Sequence, residues 1–127
     1  MVLFAMKMLF WLANRNREAQ ALMRGWNRKI QFDIEGLPSF IVTIQDGRAS
    51  IVERNHGTSH LTMKTTENNF RRMLRGEIQF EEAFLRKQFE AIGPVHDAAR
   101  FKRIVGLVLE SHSGLISVFR TLFGRFM

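Results

Sequence analysis

The sequence predicts an α/β protein of the α+β type, with a five-stranded, mainly antiparallel sheet covered by helices. Three observations predict it. Ile30, Phe32 and Ile34 alternate with Gln31 and Asp33, and Phe40, Val42 and Ile44 repeat the pattern; a period of two marks a strand with one buried face. Asp46-Gly47 then separates the second run from a third at Ala49 to Glu53. Asp-Gly between alternating runs is a strong hairpin signal, because a type I′ turn needs positive φ at both central residues. Helical spacing follows a fourth short run, and an excess of Phe, Met and Leu is available to cover the apolar face of the strands.

Each element can be justified in order. Val2 to Ala13 is apolar except for Lys7, so a helix here would be greasy all round and would need burial on more than one side. At about 1.5 Å per residue it reaches about 18 Å, short of a hydrocarbon core of about 30 Å. No basic stretch precedes it and Trp11-Leu12-Ala13-Asn14 offers no cleavage site, so it reads as neither a membrane span nor a signal peptide. It is a candidate lid on the sheet, or a contact to a membrane or to a second copy in a homodimer. Asn14 to Gly25 is polar and helical in character. Strands are expected near Arg28–Ile34, Ser39–Gln45 (after Pro38), Arg48–Arg54 and His60–Lys64, with a turn at Asn55-His56-Gly57.

Thr65 or Thr66 caps a helix that runs through Arg75, with Phe70, Met73 and Leu74 at helical spacing and Gly76 just past its end. A short helix covers Phe80 to Leu85, and a fifth strand Lys87 to Ile92 closes on Gly93-Pro94. A longer helix runs from His96 to about Glu110, with Ala99, Ile104, Val105 and Val108 on its apolar side. After Ser113-Gly114 a last helix is expected, whose broad apolar face carries Leu115, Phe119, Leu122, Phe123 and Phe126 and whose other face carries Arg120 and Arg125. The whole, residues 1–127, is expected to be one domain: a helical segment 1–25, a sheet-and-helix core 26–110 and an amphipathic helix 114–127.

Composition narrows the function. There are 12 Phe, 2 Trp, no Tyr and 7 Met, a supply of apolar area with almost no polar handle. That supply suits a Phe-rich core, the simpler account of any single residue, or a large apolar cavity with adaptable walls. The absence of cysteine excludes disulfides and thiolate chemistry, and fits a cytoplasmic protein. A net charge of +7 favours anionic partners, nucleic acid or an anionic lipid surface.

Catalysis finds no support. His56 and His60 are four apart but flank a turn rather than sharing a helix face, with no third ligand near. His96 and Asp97 fit local capping of a helix start, and His112 lies in a loop. There is no Gly-x-Ser-x-Gly elbow, no phosphate loop and no paired carboxylates beyond turn and solvent positions. No metal or cofactor is therefore expected. The basic stretches Arg15–Lys29 and Arg71–Arg75 lack interleaved aromatics on a strand, as a single-strand stacking platform would need, so nucleic acid is not the expected partner.

The order and spacing of Ile44-Gln45-Asp46-Gly47, Leu61-Thr62-Met63-Lys64, Met73-Leu74-Arg75-Gly76-Glu77, Ala83-Phe84 and Phe89-Glu90-Ala91-Ile92-Gly93, with the lead-in Arg24-Gly25-Trp26, resemble the sterol carrier protein type 2 domain family. The resemblance spans about residues 14–110. Members usually carry Gly-Lys before the fifth strand, where this chain has Arg86-Lys87. The resemblance implies a sheet whose helices enclose an apolar tunnel, and non-covalent binding of a fatty acid, sterol, phospholipid or isoprenoid quinone. Inward candidates for the lipid are Phe32, Ile34, Phe40, Val42, Ile44, Met63, Phe70, Met73, Leu74, Phe84, Phe89, Phe101, Ile104 and Val108. Periodicity does not separate a tunnel wall from a filled core. Phe119, Arg120, Phe123, Arg125 and Phe126 are the candidate contact to an anionic membrane, as in a peripheral cytoplasmic carrier. The alternatives are a ligand-free interaction or oligomerisation module, and a lipid-presenting accessory factor in quinone synthesis.

Overall fold

Ten elements follow one another in the computed structural model, which describes residues 2–53 and 58–111. They are α1 (Val2–Ala13), α2 (Arg17–Met23), β1 (Arg28–Glu35), β2 (Phe40–Gln45), β3 (Arg48–Val52), β4 (Leu61–Thr66), α3 (Glu67–Leu74), α4 (Phe80–Leu85), β5 (Phe89–Ile92) and α5 (Val95–Ser111). The expected turn at Asn55-His56-Gly57, His112 and the amphipathic helix after Gly114 lie outside the described residues.

The strands form one sheet in the order β3-β2-β1-β4-β5. Three neighbouring pairs are antiparallel; the central pair β1 and β4 is parallel, with Ile30 opposite Leu61 and Phe32 opposite Met63. The Asp46-Gly47 hairpin has φ of 54° and 75°, as a type I′ turn requires, and Gln45 faces Arg48 across it. Alternation becomes burial: Ile30, Phe32 and Ile34 are nearly sealed from solvent, while Lys29 and Glu35 are exposed. β2 departs from simple alternation, since Ile41 is buried on the opposite side from Phe40, Val42 and Ile44.

Helices α1, α2, α3 and α5 lie over the apolar face. Asn16 caps α2 and Thr66 caps α3 through side-chain oxygens that accept from Ala19 N–H at 2.9 Å and Asn69 N–H at 3.1 Å. α1 does not need burial all round. Val2, Ala5, Met6, Leu9, Phe10 and Ala13 enter the core, whereas Phe4 and Trp11 are 56% and 54% exposed. The reason is its place at the margin of the layer, against β3 and α5, which leaves one side outward. The Arg15 guanidinium lies 4.2 Å from the centre of the Trp11 ring.

Asp97, expected to serve local capping, reaches out of α5 instead. Its two oxygens accept from Trp26 Nε1 at 3.0 Å and Arg28 Nε at 3.1 Å. A buried indole N–H needs an acceptor, and Asp97 supplies it while tying the start of β1 to α5. The fifth strand begins two residues later than expected because Lys87 is turned to φ 59°. With Arg86 ending α4, Lys87 N–H bonds the Phe84 carbonyl and Gln88 N–H the Ala83 carbonyl. That is a Schellman closure of a helix with lysine in the place glycine usually takes.

Candidate functional site

Phe32 is the centre from which the site is built. Its ring stacks on Phe40 at 5.0 Å, meets Phe70 edge-on at 6.1 Å and leans on Phe101 at 5.9 Å; Phe101 in turn stacks on Phe10 at 5.8 Å. These contacts join β1, β2, α3, α5 and α1. They do not close the space. Beside Phe32 a cavity of about 500 Å³ remains, within the range of pockets that hold small organic ligands.

Its floor is Phe32, Met63 and Phe89, one residue from each of β1, β4 and β5. One wall is α3, with Phe70, Met73 and Leu74, and the opposite wall is α5, with Phe101, Val105 and Leu109. Met6 and Leu9 of α1 complete the lining, with Ile78 from the connection to α4. The floor is buried, and the partly open mouth is marked by the exposed or half-exposed Gly76, Gln79, Lys102, Gly106 and Glu110. The lining is thus twelve apolar side chains with three polar ones at the rim.

α3 is held in place for this task. Thr66 starts it, Glu67 and Arg71 pair along it at 2.6 Å, and Gly76 at φ 76° ends it, with N–H bonds from Gly76 and Glu77 to the Met73 and Arg72 carbonyls. Arg75, although largely buried, reaches Glu77 at 3.2 Å, so charge at this helix end is tied down next to the mouth.

Seven of the inward candidates come together in the lining: Phe32, Met63, Phe70, Met73, Leu74, Phe89 and Phe101. Phe40, Val42, Ile44, Ile104 and Val108 are as deeply buried but do not line the cavity; they belong to the packed core. Ile34 borders a separate polar cleft. Phe84 is 48% exposed, because the short α4 buries Ala83 instead. Residues that the sequence reading missed are Met6, Leu9, Ile78, Val105, Leu109 and the whole rim. On α5 the signal was present, since Val105 and Leu109 continue the row of Phe101 at four-residue spacing, beside Ile104 and Val108. For Met6 and Leu9 there was none, because nearly every position of α1 is apolar.

The polar cleft has about 480 Å³ and is lined by Asp33, Glu35, Ser39, Lys64, Thr65, Thr66, Asn69, Lys87, Gln88 and Glu90, with Ile34 the one apolar residue. Its groups bond one another: Asp33 accepts from Ser39 Oγ at 2.9 Å and Gln31 Nε2 at 2.8 Å, and Thr65 Oγ1 donates to the Gln88 carbonyl at 2.8 Å. Among the described residues no group of three His, Asp or Glu could hold a metal ion, and His60 Nδ1 accepts from Lys29 N–H at 3.1 Å. No described helix is long and apolar enough to cross a membrane.

The chain is thus an α+β domain whose sheet is covered by helices on one face, with an apolar cavity between them. The profile of the SCP-2 sterol transfer family matches residues 9–106, and the chain belongs to that family of lipid-binding and lipid-transfer domains. Among solved structures it is similar to sterol carrier protein domain 2 of Helicoverpa armigera, with 13% identity, 81% of this chain and 84% of that one covered, and a TM-score of 0.67. It is similar to a UbiJ-SCP2 ubiquinone synthesis protein at 14% identity, over 80% of this chain and 84% of that chain, with a TM-score of 0.64. It is also similar to palmitated SCP2L2 from Aedes aegypti at 12% identity, over 62% and 72% of the chains, with a TM-score of 0.52. No curated protein sequence matches.

Proposed function

We propose that this chain is a non-catalytic lipid carrier that holds the apolar tail of a fatty acid, sterol, phospholipid or isoprenoid quinone in the cavity under α3 and α5. The observation that carries the reading is the cavity lining, apolar everywhere except its rim. Such a site needs no reacting group. Each methylene moved out of water contributes about 0.8 kcal/mol, so about ten buried methylenes give about 8 kcal/mol against an association cost of at least about 4. Tail burial of that length alone then leaves about 4 kcal/mol, millimolar binding, and each further methylene tightens it, which suits a carrier that must also release. In this reading a polar head would lie near Lys102, Gln79 and Glu110 at the mouth.

Extraction of the purified chain and mass spectrometry of its lipids, followed by titration with a fluorescent fatty acid, tests the reading. Met73→Arg, at the half-buried wall, should weaken binding by about a hundredfold or more, since it sets a charge where the tail must lie. The absence of saturable binding to every lipid class would leave the ligand-free interaction module as the better account.

A second reading is favoured by one observation, the likeness over most of both chains to a protein described as serving ubiquinone synthesis. In that reading the tail is polyisoprenoid and the chain presents a quinone precursor. Recovery of prenylated rings rather than fatty acids from the native protein would select it.

For delivery, the segment 114–127 remains the proposed contact to an anionic membrane on its sequence alone, with Phe119, Phe123 and Phe126 entering the headgroup boundary beside Arg120 and Arg125. Each basic residue near such a surface contributes about 1 kcal/mol and salt screens it. The double change Arg120→Glu and Arg125→Glu should slow vesicle-to-vesicle transfer at low salt and leave affinity for a soluble lipid analogue unchanged.

A further inference from the structure

Two glycines stand at the mouth of the cavity for different reasons. Gly76 has φ 76°, a left-handed conformation that ends α3, so its missing side chain is a backbone requirement. Gly106 has no such requirement. It lies inside α5, where glycine is among the poorest residues. Close packing does not demand it either, because among the described residues no atom beyond its chain neighbours and its own helix backbone lies within 4 Å of the place a Cβ would occupy. The consequence left to explain is the space itself, and that space belongs to the cavity that Gly106 lines.

Its neighbours give the space a shape. Lys102, Gly106 and Glu110 follow at four-residue intervals and share one row of α5, next to the apolar row of Phe101, Val105 and Leu109. The rim row therefore has a cation at one end, a carboxylate about 12 Å further along the axis, and a gap between them.

We infer that Gly106 is a specificity-determining position: the gap it leaves sets the widest lipid that the mouth admits, and it serves lipids broader than a single acyl chain, such as fused-ring sterols. The inference rests on the carrier reading above. A linear chain passes a mouth narrowed by a methyl group, whereas a rigid ring system needs the full width.

The test is fluorescence titration of the full chain with two probes, the slender cis-parinaric acid and the rigid dehydroergosterol, for wild type, G106A, G106V and G106F, with thermal unfolding of each. G106A should unfold about 2–5 °C higher, as alanine suits a helix interior better. It should bind parinaric acid within about twofold of wild type and dehydroergosterol about tenfold more weakly, the scale on which one methyl group discriminates in an apolar pocket. Larger side chains should widen that difference. Because G106A favours the helix, its result stands even where G106F fails to fold. Unchanged affinities in all variants, an equal loss for both probes, or a wild type that takes the linear acid but refuses the sterol would overturn the inference while leaving the carrier reading in place. A wild type silent toward both probes would overturn this inference, and silence toward phospholipid and quinone probes as well would overturn the carrier reading.

Discussion

Two adjacent rows of the sheet, one residue apart, have opposite fates. Phe40, Phe32, Met63 and Ala91 stand in register on the covered face; Asp33, Lys64 and Glu90 stand in register on the other. Each row borders an empty space of similar size, about 500 Å³ and about 480 Å³. Volume therefore does not choose the site. On the covered face the lining cannot bond to water, so filling the space with an apolar chain is favourable. On the open face acid, lysine and acid alternate across the strands, and Gln31 and Ser39 donate to Asp33, so water is already a good occupant.

Removing residues 1–13 would strike the covered face hardest. Val2, Met6, Leu9 and Phe10 are buried there, and at about 1.5–3 kcal/mol each their loss is about 6–12 kcal/mol, comparable with the whole stability of a domain. Urea unfolding of the truncated chain should find no cooperative transition; a folded remnant would show that the sheet face tolerates exposure. Phe32→Ala comes next, with an expected loss of about 3–5 kcal/mol by the same measurement, while Lys64→Gln, facing Met63's neighbours from the open side, should stay within about 0.5 kcal/mol. Equal effects would erase the contrast between the rows.

A smaller change sharpens the comparison from the polar side. Lys87 borders the cleft and holds φ 59°, which disfavours a side chain, so Lys87→Gly should stabilise by about 0.5–1 kcal/mol in thermal unfolding. A loss instead would mean that the lysine side chain contributes more than its backbone costs. The smallest effect is expected at the exposed Lys7–Glu53 pair. A 2.8 Å hydrogen bond from Lys7, and then its charge, hold the Glu53 carboxyl below the ordinary carboxylate range. A folded-state pKa that is lowered gives stability present above the unfolded value and lost as pH falls through the folded one. Lys7→Gln should move the Glu53 midpoint upward in an NMR titration and, because the pair is exposed and screened by water, lower neutral-pH stability only slightly.

Much of this molecule was legible before its structure. The alternating runs, Asp46-Gly47, the Thr66 cap and Gly76 each carry local chemistry that fixes a strand, turn or helix end without help from distant residues. The parallel pairing of β1 with β4 was not legible, since no local signal states which strands become neighbours. Within the site, Phe32, Met63 and Phe70 were legible as inward-facing, yet Phe40 and Val42 had the same pattern and fill the core instead. Alternation reports the face of a sheet, and only packing decides whether that face meets a side chain or a void. Lys87 was illegible because lysine carries no preference for the conformation it adopts.

The spread of the cavity along the chain has a further consequence during synthesis. Its lining begins at Met6 and ends at Glu110, and its floor depends on a parallel strand pair whose members are separated by two hairpin strands. No nascent fragment short of α5 can enclose an apolar tail. Until α5 leaves the ribosome, α1 and the covered face of β1 present Leu9, Phe10 and Phe32 to water together, a state open to aggregation and to capture by chaperones. If the chain carries a lipid as proposed, loading would be a late event, coupled to the closing step of folding, and a bound tail would shift the chain toward its finished form by mass action.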